Sequence, residues 1–496
     1  MELIQGFEVA FQFSNLFACF IGVLIGTLVG VLPGIGPTAA IAMLLPITFN
    51  ITPVAAIVML AGIYYGAMYG GSTTSILVNI PGEAASVITT LDGYQMALQG
   101  RAGPALGIAA FGSLIGGTIS IIGLQLIAVP LAKVAIKFGP PEYFSLMCLG
   151  LIILVTLTGR SVTKGIIMGL LGMALSFIGL DTISGLPRFN FGIMQFMDGI
   201  NIVPLVMGLF GIGEVLINIE KGEEQGKIMK TSFKGLLPSL RDWKDSIVAI
   251  LQGSVVGFFL GVLPGGGALI SSFVSYWVQR KISKHPEKLG TGAIEGVAAP
   301  ESANNSAVGG SFIPLMVLGI PTNAVIAILM GALIIHGVMP GPNLMEKYPD
   351  VFWGFVASMY LGNVMLLFLN LPLIPIWIQI LKVPYRILFP LILLFTIIGS
   401  YSVKNSLFDV ALTIVFGVVG YLLKKFGLEA PPLIMAFVLG PMFEESFRQS
   451  LILSRGSFGI FVSRPYSLVF LLLAIVFMLS PFIPFIYNIL RRRNEH

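Results

Sequence analysis

Two clusters of small polar residues lie between apolar stretches and carry oxygen atoms that could bind a ligand. The first is GGSTTSILVNIPG at 70–82, and the second is APESANNSAVGGS at 299–311, which GIPTN at 319–323 follows. Hydroxyl, amide and freed carbonyl oxygens suit a hard cation such as Na⁺, and the same groups can hydrogen bond to a larger ligand. The alternative is that they only join neighbouring helices. The candidates for the larger ligand are Ser72, Thr73, Thr74, Asn79, Ser311, Thr322 and Asn323, and those for the cation are Glu301, Ser302, Asn304 and Asn305.

Glu301 is the most informative ionisable residue, because Ala299 and Pro300 precede it and small polar residues follow it. A carboxyl group in such an apolar setting is a functional candidate by default. It can bind a cation, carry a proton or cap a helix, and the sequence leaves these roles open. Asp92, in contrast, lies in an amphipathic segment at 86–103, where we expect it to be solvated or interfacial.

Two loops rich in proline and glycine interrupt apolar runs, GVLPGIGPT at 30–38 and GVLPGGG at 261–267. Such residues end one helix and can begin the next, and a helix start presents free backbone N–H groups to an anion. Non-helical backbone at membrane depth survives only where protein or a water-filled cavity covers it. The loops are therefore predicted to line an anion site, the alternative being two hairpin tips that merely turn the chain. Their candidate residues are Pro33, Gly34, Gly36, Thr38, Gly265, Gly266 and Gly267.

The elements that must position these residues are transmembrane helices. The chain has 496 residues, of which 56% are hydrophobic and 10% charged, whereas soluble domains carry about 25% charged residues. Apolar windows long enough to span a bilayer recur along the chain, and we count about ten to twelve. The sequence thus predicts an all-α polytopic membrane protein. The net charge of +5 fits basic cytoplasmic loops and does not call for a nucleic acid partner.

The motifs occur twice and in the same order, which indicates an internal repeat. The first loop returns at 261–267, YGGSTTSILVNIPG at 69–82 is echoed at 308–322, and VPLVMGLFGIGEVL at 203–216 is echoed at 431–446. We divide the chain into a first transmembrane repeat, a basic cytoplasmic linker, a second transmembrane repeat, and an extra helix with a basic tail. Their ranges are 1–219, 220–245, 246–450 and 451–496.

The placement of basic residues predicts that the two repeats are inverted. The linker carries six Lys and Arg residues, and RRR at 491–493 ends the chain. Both regions should be cytoplasmic, and only the second repeat and one helix separate them. The second repeat must then cross the membrane an odd number of times. Residues 1–100 contain no Lys or Arg, which fits an N-terminus on the outside.

Paired repeats with helices broken at matching positions are typical of secondary transporters. The sequence has no GxxxxGK[ST], HExxH or GxSxG motif and only three histidines, so an enzyme has few groups to work with. Two alternatives to a transporter remain open: a channel without a coupling ion, and a membrane-embedded enzyme.

Three long motifs, GVLPGIGPTAAIAMLLPITF, GIYYGAMYGGSTTSILVNIPGEAASVITTLDGYQMALQGRAGPAL and EGVAAPESANNSAVGGSFIPLMVLGIPTNAVIAILMGA, resemble one family. It is the large membrane subunit of bacterial tripartite tricarboxylate transporters, and the resemblance covers essentially the whole chain. It implies a multi-pass permease of the inner membrane that carries citrate or another carboxylate, driven by a Na⁺ or H⁺ gradient. It also implies two partners, a small membrane subunit of about four helices and a periplasmic substrate-binding protein, and no cofactor beyond a coupling Na⁺.

One expectation concerns how a carboxylate is held. The stretches 1–100, 246–279 and 289–346 contain the matched core motifs and no Lys or Arg. We therefore expect backbone N–H groups at the two broken loops and a co-bound cation to stabilise the anion, without an ammonium or guanidinium group.

Overall fold

The computed structural model describes residues 2–32, 35–158, 161–181, 183–221, 235–381, 383 and 385–479. Pro33, Gly34, most of the linker and the basic C-terminal tail therefore lie outside the described residues. The helices of the N-terminal part are α1 (Glu2–Ala10), α2 (Phe13–Val31), α3 (Gly36–Leu44), α4 (Pro53–Val78), α5 (Thr89–Leu98), α6 (Ala102–Ala135), α7 (Pro140–Thr158), α8 (Val162–Ser176), α9 (Ile202–Val206) and α10 (Gly213–Lys221).

The C-terminal part continues with helices of the same kind. They are α11 (Leu240–Val262), α12 (Gly267–Ile282), α13 (Glu295–Ile313), α14 (Ala324–Ile335), α15 (Leu344–Lys347), α16 (Pro349–Asn370), α17 (Ile374–Ile380), α18 (Tyr385–Lys404), α19 (Leu407–Lys425), α20 (Ala430–Leu453), α21 (Ile460–Ser463) and α22 (Pro465–Leu479). A π-helical turn, Met207–Ile212, joins α9 to α10. In the described part of the chain, β-structure is limited to the short antiparallel pair β1 (Gly179–Leu180) and β2 (Pro187–Arg188).

The length and apolar composition of the helices confirm an all-α polytopic membrane protein. Among the described residues, eight helices are long and apolar enough to cross a bilayer, and five more apolar helices are shorter. The short ones include α3, which follows the first broken loop, and α14, which follows GIPTN at 319–323. A chain that interrupts its own helices in this way gives fewer full-length spans than its hydrophobic content suggests.

Glycines spaced four residues apart bring two pairs of helices into backbone contact. Gly257 of α11 faces Ala303 of α13 so closely that a Cβ atom on the glycine would lie 2.1 Å from the alanine carbonyl oxygen. In the same way, a Cβ atom on Gly26 of α2 would lie 2.5 Å from the carbonyl oxygen of Ile63 in α4. Small residues at such intervals let helices approach without intervening side chains. The other glycines in these contacts are Gly22 and Gly30 of α2 and Gly253 and Gly261 of α11.

The second broken loop is the tip of an antiparallel helix hairpin. Helix α11 ends at Val262 and α12 begins at Gly267. Farther down the hairpin, the side-chain amide of Gln252 donates to the carbonyl oxygen of Ser275 at 3.2 Å, so α12 returns beside α11. The first loop similarly separates α2 from α3, and Pro37 stands in the first turn of α3 as expected.

Residues 79–83 and 319–323, which the sequence aligns with each other, also share local geometry. Asn79 ends α4 with a left-handed φ of 59°, and Gly319 ends the π-helical turn after α13 with a φ of 69°. Four residues later, a side-chain oxygen of Glu83 caps the short 3₁₀ helix Ala84–Val87, and one of Asn323 caps α14. This correspondence agrees with an internal repeat. That the two repeats cover the two halves of the chain, and that they are inverted in the membrane, remain predictions.

The expected solvation of Asp92 is wrong. The carboxylate is fully buried and accepts hydrogen bonds from the Tyr276 hydroxyl at 2.8 Å and from three backbone N–H groups. These N–H groups belong to Gly290, Gly292 and Ala293. The residue pattern of α5 is amphipathic, but a loop distant in sequence covers its polar face. No local pattern reveals this contact. Asp92 therefore joins α5 to the segment between α12 and α13.

We expect His285 and Ser457 to lie on opposite sides of the membrane. His285 follows the returning α12 and is exposed, and Ser457 follows α20 and is exposed. In the inverted arrangement a cysteine at 285 is protected from an impermeant thiol reagent added outside intact cells, whereas a cysteine at 457 reacts. Labelling of both variants in a background without Cys19 and Cys148 measures this. Equal labelling of the two positions would contradict the inverted topology.

Candidate functional site

The two broken loops line one cavity of about 790 Å³. Gly36, Pro37 and Thr38 at the start of α3 form one part of its wall. The glycines at 265–267 form another part, at the start of α12. Residues more than two hundred positions apart in the sequence thus border the same space, which has the size of a small-molecule site.

Positive φ angles and a few hydrogen bonds set the shape of the loops. Gly36 has a φ of 67° and Gly265 has a φ of 77°, values that side chains disfavour. The N–H of Gly265 donates to the carbonyl oxygen of Thr322 at 2.8 Å, which fixes the loop against the segment before α14. Next to it, the side-chain amide of Asn323 donates to the Tyr64 hydroxyl at 3.2 Å, and both residues line the cavity.

Glu83 also lines the cavity, and the sequence reasoning missed it. The carboxylate is 8% exposed, and its Oε2 accepts from the Ala85 N–H at 2.5 Å. Its Oε1 has no hydrogen-bond partner among the described residues. The signal that could have found it is the alignment of the repeats, which places Glu83 at the position of Asn323. A buried oxygen without a partner is costly unless a ligand, water or proton satisfies it.

Glu301 does not line the cavity and is fully buried. Its Oε2 accepts from the Ser72 hydroxyl at 2.5 Å, and its Oε1 accepts from the Thr89 hydroxyl. Ser72 and Thr73 also border a small space of about 10 Å³, which is close to the minimum volume for one water molecule. Glu301 therefore joins α4, α5 and α13 through polar contacts in the protein interior.

The remaining cation candidates lie on α13 near Glu301. The Ser302 hydroxyl donates to the Ala299 carbonyl at 3.0 Å, and the Asn305 amide donates to the Glu301 carbonyl at 3.3 Å. Asn304 is fully buried, and neither its amide oxygen nor its amide nitrogen has a partner among the described residues. Within the described ranges, no three His, Cys, Asp or Glu residues form a metal cluster. A cation here would thus depend on amide, hydroxyl and carbonyl oxygens.

Several predicted ligand residues do not line the cavity. The hydroxyls of Thr74 and Ser311 donate to carbonyl oxygens of their own helices, those of Gly71 and Val308. Asn79 is exposed at the end of α4. The hydroxyls of Thr74 and Ser311 thus satisfy their own helices and neither line the cavity nor join neighbouring helices through these bonds.

Lys424 brings an ammonium group to the cavity wall, although the matched motifs contain none. It stands in the last turn of α19, lines the cavity, and forms an ion pair with Glu214 of α10. Glu214 is half-buried and also lines the cavity. The sequence motifs did not indicate Lys424, because it lies outside all of them.

The sequence of the chain is similar to those of known membrane-transporter proteins. The Tripartite tricarboxylate transporter TctA family matches residues 16–435. The chain belongs to this family. A protein of Agrobacterium vitis described as "Uncharacterized 52.8 kDa protein in TAR-I ttuC' 3'region" is 48% identical over 469 residues, which cover 94% of this chain and 93% of that protein. A second one, "Uncharacterized protein in TAR-II ttuC' 3'region", is 50% identical over 228 residues, 46% of this chain and 94% of that protein. No solved structure shows significant similarity to the chain.

Membership in the TctA family confirms the resemblance seen in the motifs. The family is the large permease component of tripartite tricarboxylate transporters, so the chain is a transporter component and not an enzyme. As a TctA protein it works in a system of three parts, and its apolar helices make it a multi-pass membrane protein.

Proposed function

We propose that this chain imports citrate-like tricarboxylates or other carboxylates across the bacterial inner membrane, driven by a Na⁺ or H⁺ gradient. The observation that carries the proposal is the convergence of both broken loops on one cavity. Free N–H groups at the starts of α3 and α12 can hydrogen bond to a carboxylate, each such bond contributing about 1.5–3 kcal/mol when the acceptor is charged. The proposed coupling-ion site consists of Glu301, Ser302, Asn304 and Asn305.

The proposed partners are a small membrane subunit of about four helices and a periplasmic substrate-binding protein. The described residues form membrane helices and short connections and include no large folded domain outside them. Capture of a dilute substrate is therefore assigned to the soluble partner, and this chain provides the pathway. We also propose that the chain consists of two transmembrane repeats, 1–219 and 246–450, joined by the linker 220–245 and followed by the extra helix and tail at 451–496.

Uptake into proteoliposomes tests the function. The chain and its two partners are reconstituted, and labelled citrate, succinate or malate is supplied with an imposed Na⁺ gradient, with an imposed pH gradient, or with neither. We expect accumulation above equilibrium only with one of the gradients. Passage that equilibrates without accumulating under any gradient would identify a channel, and a chemically altered product would identify an enzyme.

We expect Gly36→Ala to reduce uptake at least tenfold while the protein still folds. No atom lies within 4 Å of the position of a Cβ on Gly36, so alanine causes no clash. Alanine does disfavour the φ of 67° by about 1–2 kcal/mol, which should shift the loop and its N–H groups. The measurement is initial uptake rate per folded transporter.

Gly100→Ala is the matched control. Gly100 has a φ of 74°, and a Cβ there also meets nothing within 4 Å, but the residue lies between α5 and α6 and not in the cavity wall. Both variants carry the same strain, so equal loss of uptake in both would contradict a specific role for the loop. Gly266→Val is a poorer test, because a Cβ there lies 2.1 Å from the Leu260 carbonyl oxygen and disturbs the hairpin itself.

A further inference from the structure

The charged residues of the cavity wall are unbalanced. Among the described residues that line it, Glu83, Glu214 and Glu429 carry carboxylates, and Lys424 carries the one ammonium group. A multivalent anion that enters this space meets repulsion from the carboxylates. The backbone N–H groups at the starts of α3 and α12 can serve one of its carboxylate groups, and a second group needs another favourable contact.

The ammonium group of Lys424 is engaged by a neighbouring carboxylate. Its Nζ donates to Oε2 of Glu214, which stands in the first turn of α10. The side chains are 34% and 26% exposed, so neither charge is fully removed from water. A half-solvated ion pair of this kind contributes little to folding and can be exchanged for another pair. A carboxylate in the cavity can replace Glu214 at the same ammonium group.

We propose that Lys424 binds a carboxylate group of the transported anion and that Glu214 competes with the anion for it. This inference rests on the proposed transport of carboxylates and adds a cationic contact that the sequence motifs do not contain. Glu214 then acts as an internal competitor that keeps Lys424 in place in the empty cavity. The competition lowers affinity, because the anion must displace a carboxylate that is already bound.

The proposal predicts opposite effects for the two partners of the ion pair. Lys424→Gln removes the cationic contact, and we expect the half-saturating concentration of citrate to rise at least tenfold. Glu214→Gln frees the ammonium group, and we expect the same quantity to fall several-fold. The double variant should behave like Lys424→Gln, because the competitor has no effect once the cation is absent.

A neighbouring ion pair on the same helices provides the matched control. Lys425 Nζ lies 2.8 Å from Glu220 Oε1, one residue farther along α19, and neither residue lines the cavity. Lys425→Gln and Glu220→Gln change the net charge in the same way as the test variants. Both should leave the half-saturating concentration within twofold of the wild-type value.

The experiment measures concentration-dependent uptake of labelled citrate, succinate or malate by the reconstituted complete transporter. The anion that the wild type carries best is used for all variants, and size-exclusion profiles verify folding. Added salt should weaken wild-type affinity more than that of Lys424→Gln, since an exposed charge is screened.

Three results would overturn the proposal. The first is an unchanged half-saturating concentration in Lys424→Gln, and the second is a rise in Glu214→Gln as large as that in Lys424→Gln, which would identify a purely structural ion pair. In both cases wild-type carboxylate uptake persists, so the proposed function stands. The third is the absence of carboxylate uptake by the wild type, in which case both proposals fail.

Discussion

Glu301→Gln is expected to abolish gradient-driven accumulation, with uptake at least a hundredfold below wild type and a normal amount of folded protein. The carboxylate is fully buried and accepts from the hydroxyls of Ser72 and Thr89. Glutamine has the same shape. The hydroxyl beside its amide nitrogen can rotate to accept a hydrogen bond, while the other hydroxyl still donates to its carbonyl oxygen, so packing is retained. The negative charge that a cation or proton needs is lost. Uptake under an imposed gradient, and exchange of labelled for unlabelled substrate without one, measure the two steps separately.

Glu295→Gln is the matched control for this prediction. Glu295 lies on the same helix, α13, and also accepts from two side chains, those of Gln279 and Ser283. It lies at the start of the helix, away from the polar residues at 301–305. Retained accumulation in Glu295→Gln together with loss in Glu301→Gln would support a coupling role. Normal gradient-driven accumulation in Glu301→Gln would remove Glu301 from the coupling site.

Gly116→Ala, a methyl addition between α6 and α13, should cause a large loss of folded protein. A Cβ on Gly116 would lie 2.3 Å from the Ser302 carbonyl oxygen, far inside van der Waals contact. Overpacking of this kind costs about 1–3 kcal/mol and sometimes more, because a backbone atom cannot rotate away. The helices must separate, and the polar residues of α13 move with them. Yield of monodisperse protein and apparent melting temperature in detergent measure the effect.

Gly112→Ala, one turn earlier on α6, is its control. A Cβ there would lie 3.6 Å from the Ala298 carbonyl oxygen, which is an ordinary contact. Alanine also favours a helix over glycine by about 1 kcal/mol, so this variant should be as stable as wild type or more stable. Equal stability of Gly116→Ala and Gly112→Ala would show that α6 and α13 can separate without a loss of folding free energy.

The sequence predicts those parts of the site that local residue types determine. Proline and glycine marked the helix breaks correctly, because these residues restrict or free the backbone wherever they occur. Glu301 was identified from its apolar and small polar neighbours, and it is buried as such a setting suggests. Family motifs identified the class of protein, since they extend over most of the chain.

Contacts between distant segments could not be predicted in the same way. Asp92 is buried because backbone N–H groups near residue 290 reach it, and Lys424 lines the cavity because α19 packs beside α10. Both depend on how helices far apart in the sequence are arranged, and nothing in their neighbouring residues signals it. Glu83 is an intermediate case, since comparing it with Asn323 in the other half would have identified it.

The glycine contacts of α11 with α13 limit how these helices can move during a transport cycle. Glycine occurs at every fourth residue of α11 in the contact, at 253, 257 and 261, and residues with side chains lie between. A shift of α11 along α13 by less than one helical turn, about 5.4 Å, would push those side chains against the opposing backbone. The two helices are therefore locked in register and should move as one rigid body. Any change that opens the cavity alternately to the two sides of the membrane must then take place at the boundaries of this body, where side chains separate the backbones.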